Sequence, residues 1–193
     1  MGNVGADTPF LLEIEMAFTP KNLNSGEVFV AGRIVKGMVM EGELVDIVGY
    51  ASEVKQAKVT QINQRNMNGI SGMSCILQGV ARQDARQDLW RGQVLASPGT
   101  IQPRTTFEAE ILIDERIEKI SQQPFQGIVR YRLHIRDTDV SGTVLLPLGK
   151  ETIMHGDHFS TIIILKEPLA LEVCLQFSIG RFLGQGTITE IIE

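Results

Sequence analysis

Three groups of residues have the types and spacings that chemistry could use. His155-Gly156-Asp157-His158 could turn two imidazoles and a carboxylate toward one zinc ion. A closed site needs a fourth ligand, and the sequence offers no obvious one. The run therefore reads first as the polar tip of a hairpin, and no metal or other cofactor is expected. Arg130, Arg132, His134 and Arg136 alternate with Tyr131, Leu133 and Ile135. A strand period of two puts those four on one face. Such a stripe could take phosphates or an acidic partner. The plainer reading pairs it across the sheet with carboxylates such as Glu108 and Glu110. Third, the D-x-x-G pattern that GTPases place near a γ-phosphate occurs at Asp46–Gly49 and Asp139–Gly142. It stands without any G-x-x-x-x-G-K-[ST] cradle, and no G-x-S-x-G nucleophile turn is present either. Both matches read as chance.

The elements that would carry these residues are strands. Alternation is visible in Leu12–Met16 and Phe107–Ile111, and most cleanly from Ile128 to Arg136. Further β-rich runs are Val28–Ile34, Leu44–Val48, Lys58–Ile62, Met73–Gln78, Thr143–Leu146, Phe159–Leu165, Leu169–Ile179 and Thr187–Ile192. Turn chemistry separates them, for example Glu41-Gly42, Asn68-Gly69 and Leu148-Gly149-Lys150. Ala81 to Trp90 is the exception, a run of helix formers with Ala81, Ala85 and Leu89 four apart, ended by Gly92. Asp114 to Gln123 fits either a helical turn or a loop. Many short strands at regular spacing indicate an all-β protein of the sandwich or barrel type.

The chain has 193 residues, 43% hydrophobic and 21% charged, with a net charge of −5, which argues against a generally basic surface. Apolar runs such as Ile162–Leu165 are far too short for a membrane helix. Cys75 and Cys174 both lie in apolar stretches and are expected to be reduced core thiols. The first residues show neither a signal pattern nor the hydroxyl residue of a myristoylation site, since position 6 is Ala6. A cytoplasmic protein is expected, with no membrane or DNA partner. Ser97-Pro98-Gly99-Thr100-Ile101-Gln102-Pro103 makes a stiff linker and divides the chain at 98/99 into two halves, each the size of a small barrel.

Several motifs then carry a family resemblance. Pro9-Phe10-Leu11-Leu12, and Ala31-Gly32-Arg33-Ile34-Val35-Lys36-Gly37 after it, are similar to the opening of the second domain of elongation factor Tu. Arg91-Gly92-Gln93-Val94-Leu95-Ala96-Ser97-Pro98-Gly99-Thr100-Ile101 resembles that factor's junction into its third domain. Thr106–Glu110, Arg136–Thr143, Phe177–Arg181 and Gly184-Gln185-Gly186 resemble the third domain itself. The resemblance runs in order from about Pro9 to the end. It implies two packed β-barrels, a domain-2-like barrel over 1–98 and a C-terminal-type barrel over 99–193, without the family's guanine-nucleotide domain.

It also implies where a tRNA-like surface would lie. The family's E-D-x-F strand, which holds the aminoacylated 3′ end of tRNA, here reads Glu15-Met16-Ala17-Phe18, with methionine in place of the aspartate. A short G-R-G-T turn is replaced by the longer Lys21–Glu27, and the segment near Gly72 is shortened. A G-R-H-T run of the third domain corresponds to Ser121-Gln122-Gln123, without its arginine or histidine. Glu15, Phe18, Gly180, Arg181, Gly184 and Gly186 remain as the candidate aminoacyl-tRNA-like surface. Glu15 and Phe18 also fit a purely architectural role.

The resulting expectation is a non-catalytic double-barrel binding module that docks a protein or RNA partner. The alternative is a working translation component that binds tRNA, either as a truncated factor or beside a separate GTPase chain. In both cases this chain should not bind GTP or GDP. Titration calorimetry at micromolar protein is expected to show no saturable, Mg²⁺-dependent heat; such heat would contradict the motif reading.

Overall fold

The computed structural model describes residues 8–19, 27–67, 70–79, 92–114, 129–147, 149, 154, 156–180 and 183–192. The chain separates into two compact units, Met1–Pro103 and Arg104–Glu193. Among the described residues every regular element is a strand, and no helix is long and apolar enough to cross a membrane. The helix expected over Ala81–Trp90 lies outside them.

In the first unit, β1 (Leu11–Phe18), β2 (Glu27–Lys36), β3 (Leu44–Val48), β4 (Lys55–Met67), β5 (Ile70–Gln78) and β6 (Val94–Ala96) form a closed barrel. Its order is β1-β2-β5-β4-β3-β6, and antiparallel pairing of β6 with β1 through Leu12↔Leu95 closes the ring. In the second unit, β7 (Pro103–Ile113), β8 (Val129–Ile135), β9 (Thr138–Val144), β10 (His158–Ala170), β11 (Gln176–Ile179) and β12 (Gly184–Ile192) form another, in the order β10-β7-β12-β11-β8-β9. The pairing of β9 with β10 closes it.

Alternation explains the cores. Leu12, Ile14, Val28, Val30, Val45, Ile47, Val59, Met73, Cys75 and Leu77 point into the first barrel. Phe107, Ala109, Ile111, Leu133, Ile135, Val140, Ile163, Leu165, Phe177 and Ile179 are the buried counterparts of the second. Burial pushes the Cys75 thiol up to about 12, so it stays protonated at neutral pH.

Several sequence expectations need correction. Leu169–Ile179 is not one strand: β10 stops at Ala170, and a turn with Cys174 at φ 69° precedes β11. That turn carries Cys174 to the surface, so only Cys75 is a core thiol. The expected Thr143–Leu146 strand instead spans Thr138–Val144 as β9, and Val94–Ala96 adds a strand too short for periodicity to reveal. Alternation would also send Met16 inward with Leu12 and Ile14. A β-bulge prevents this: Ile14 faces Gly32 and Met16 faces Ala31, leaving Glu15 without an opposite residue. Beyond the bulge Ala17 packs on the core, while Met16 and Phe18 face solvent.

The start of the linker is fixed to the first barrel. Ser97 N–H donates to the Phe10 carbonyl at 3.0 Å, and Phe10 N–H donates to Ser97 Oγ at 2.8 Å. Asp46, which is buried, accepts from Gly99 N–H at 2.8 Å and from Gln56 Nε2 at 2.9 Å. One of the two D-x-x-G aspartates is thus a buried acceptor that holds the linker.

Backbone proximity tests this packing. A Cβ on Gly32 would lie 2.0 Å from the Glu13 carbonyl oxygen, whereas one on Gly99, at φ +75°, would meet nothing within 4 Å. Gly32→Ala is therefore expected to cost about 3 kcal/mol through overpacking. Gly99→Ala should cost about 1 kcal/mol, through backbone conformation alone. Denaturant midpoints at unchanged slope will rank the two, and equal costs would show that strand β2 shifts freely.

Candidate functional site

The first candidate surface is the outer face of β1 and β2. The bulge at Glu15 turns Met16 and Phe18 outward, 55% and 44% exposed. Met16 stands opposite Ala31 and Phe18 opposite Phe29, with the two rings 4.8 Å apart at 40°. Beyond Phe29, Ile76 is the next residue across on β5. Where the resemblance leads one to expect a carboxylate, this strand offers a thioether beside an aromatic pair. Glu15 is exposed one residue away. The Lys21–Glu27 turn lies outside the described residues up to Glu27.

The second surface gathers around β8, β11 and β12. Gly180 follows β11 at φ 57°, and its N–H donates to the Arg132 carbonyl at 2.8 Å. Gly184 and Gly186 are buried. A Cβ on Gly184 would come 2.5 Å from the Leu112 carbonyl oxygen, and one on Gly186 would come 2.2 Å from the Phe177 ring. These two glycines let β12 lie against β7 and under Phe177, which itself meets Phe107 edge-on at 5.6 Å. Arg181 lies outside the described residues, as do Ser121-Gln122-Gln123.

The basic stripe is shorter than alternation implies. Arg130, Arg132 and His134 are exposed on β8. Arg136 leaves them because β8 ends at Ile135 and a two-residue turn joins it to β9 through Ile135↔Thr138. Arg136 has φ 54°, a value common for glycine and rare for a long side chain at a hairpin turn. Its guanidinium is only 2% exposed, donating to Glu172 Oε2 at 3.0 Å and, through Nε, to the Ala170 carbonyl at 3.1 Å. It clamps the β8–β9 turn to the end of β10.

The remaining stripe finds its carboxylate on β9, not on β7. His134 Nδ1 lies 3.0 Å from Asp139 Oδ1, so the ring donates to the acid, and Arg132 stands 4.0 Å from Asp139 Oδ2. Glu108 faces Glu190 across β7 and β12, and Glu110 lies 3.7 Å from His158. Asp139 is thus the second D-x-x-G aspartate, and Gly142 of the same motif packs where a Cβ would come 2.7 Å from Leu133.

The His155–His158 run does not converge in the described part. Asp157 accepts from Met154 N–H at 2.7 Å, closing the turn before β10, while His158 opens β10 beside Glu110. His155 lies outside the described residues. Among those described, no three His, Cys, Asp or Glu side chains come together as a metal site.

The Arg136–Glu172 clamp is a functional part of the fold that sequence reasoning missed. Arg136→Ala leaves a half-buried carboxylate without its guanidinium and should destabilise the protein by about 3 kcal/mol. Arg132→Ala removes an exposed, loosely paired charge and should stay within about 0.5 kcal/mol. Urea melts of the two variants check this, and equal midpoints would show the clamp to be dispensable.

The family model of the elongation factor Tu C-terminal domain matches residues 100–192. That span holds β7 to β12, the whole of the second barrel. The second barrel is thus similar to the elongation factor Tu C-terminal domain.

Proposed function

We propose that the chain is a non-catalytic, translation-factor-like double barrel that docks a protein or RNA partner. One observation carries the reading: an elongation factor Tu-type C-terminal barrel follows a second closed barrel whose outer β1 strand presents Met16 and Phe18. The side chains that first suggested chemistry serve mainly to hold the barrels. Asp46 fixes the linker, Arg136 clamps two turns, and Gly184 and Gly186 make room for neighbouring strands. These are the features of a scaffold that presents surfaces. The second reading, a tRNA-binding translation component with or without a separate GTPase chain, draws on the same family match.

The two readings part at Met16. A carboxylate at that position could accept from an aminoacyl α-amino group, and a charge-assisted hydrogen bond of that kind contributes about 1.5–3 kcal/mol. A thioether cannot replace it, and each 1.4 kcal/mol is about tenfold in affinity. Aminoacylated and uncharged tRNA are therefore expected to bind equally, within about twofold, in filter binding at moderate salt. A clear preference for the charged form would favour the translation component and make Glu15 and Phe18 pocket residues.

A further inference from the structure

The outer face of the second barrel around β8 has a definite charge arrangement. Arg130 and Arg132 alternate on one strand, so their Cα atoms are about 6.5–7 Å apart. The register places Thr143 opposite Arg130, Ser141 opposite Arg132 and Asp139 opposite His134 on β9. On the other side, β11 sets Ser178 opposite His134, and β12 sets Gln185 opposite Ser178. The face therefore has two guanidinium groups, one imidazole, one carboxylate and a border of hydroxyls and amides.

We infer that this face receives a short acidic segment of a partner protein, and that Asp139 competes with that segment for Arg132. The inference rests on the docking function proposed above and names its surface and partner chemistry. Two arginine forks on alternate positions match carboxylates spaced along an extended peptide, each able to bind one of them bidentately. The serine, threonine and glutamine border supplies neutral donors to remaining oxygens. RNA is a poorer fit. Arg130 and Arg132 against Asp139 leave these three with a net of +1, against the several phosphate contacts that backbone binding needs. Among the described residues of β8 and β11 no aromatic ring is presented for base stacking either: Phe177 is buried, and Tyr131 is out of step with the arginines on β8. The barrel is closed, so a peptide cannot add as an edge strand and must bind through side chains.

Asp139 tempers the face. It is shared between His134 at 3.0 Å and Arg132 at 4.0 Å. A carboxylate arriving at Arg132 therefore competes with one already beside it, and removing that charge leaves both guanidinium groups to the ligand. In the adjoining turn Arg136 is engaged with Glu172.

Fluorescence anisotropy of the full chain with a labelled oligoglutamate tests the inference, with single-stranded and hairpin RNA of matched charge as the other arms. Oligoglutamate should bind saturably, and added salt should weaken it. Arg130→Ala with Arg132→Ala should weaken binding about tenfold or more. Asp139→Asn should bind about two- to fivefold more tightly than the parent, the gain expected from removing one exposed charge and one that misfolding cannot imitate. Binding that the double arginine variant leaves unchanged overturns the inference, as does RNA binding through these arginines without oligoglutamate binding. If a partner then docks elsewhere on the chain, the docking function stands and this surface falls. If no protein or RNA docks anywhere, both fall.

Discussion

In a six-stranded barrel the strands curve so tightly that backbone meets backbone, or an aromatic ring, at fixed points, and each such point must lack a side chain. Gly32 lies against the Glu13 carbonyl, Gly184 against that of Leu112, Gly186 beneath the Phe177 ring and Gly142 against Leu133. Remove that freedom and β2 separates from β1, or β12 from β7, and the ring opens. The cores follow from this close approach. Phe107 and Phe177 can meet edge-on because Gly186 clears the space beneath Phe177.

Charged groups in this protein divide by burial into two kinds. Asp46 and Arg136 are enclosed, and their hydrogen bonds tie distant segments together. Their value lies in the cost of leaving either group unpaired. Asp139, His134 and Arg132 are half or more exposed and held loosely. Loosely held charges contribute little to stability and exchange partners readily. The same fold thus spends its buried charges on shape and leaves its exposed ones for recognition.

Much of the fold could be read from residue alternation. The clean run through Ile135 became β8, Phe107–Ile111 became the middle of β7, and Pro98-Gly99 fell in the connection between the barrels. The failures have local physical causes. Leu169–Ile179 stays apolar through its turn, and the turn is made by Cys174 at positive φ, where no glycine or proline marks it. Glu15 is an extra residue in β1, so Met16 faces outward although Leu12–Met16 alternates well. Arg136 continues the pattern of the stripe, yet strand β8 has already ended, and only the partner Glu172, thirty-six residues away, fixes where it goes. Surface residues such as Arg130 and Arg132 were legible because strand period alone places them. Gly184 and Gly186 were visible as a motif, but their burial depends on Leu112 and Phe177 across the sheet.

Closure also sets an order in time. The first barrel is sealed by Leu12↔Leu95, so β1 has no partner on that side until Val94–Ala96 has been synthesised. At about 5–20 residues per second, the ribosome takes several seconds or more to supply it. The second barrel has the same arrangement, since β7 pairs with the last strand, as in Phe107↔Ile191. During each interval an apolar strand edge is open to any neighbouring chain, and after it no edge remains. The hazard of aggregation therefore belongs to the newborn chain and to refolding after full denaturation, while the finished barrels are protected by their own last strands.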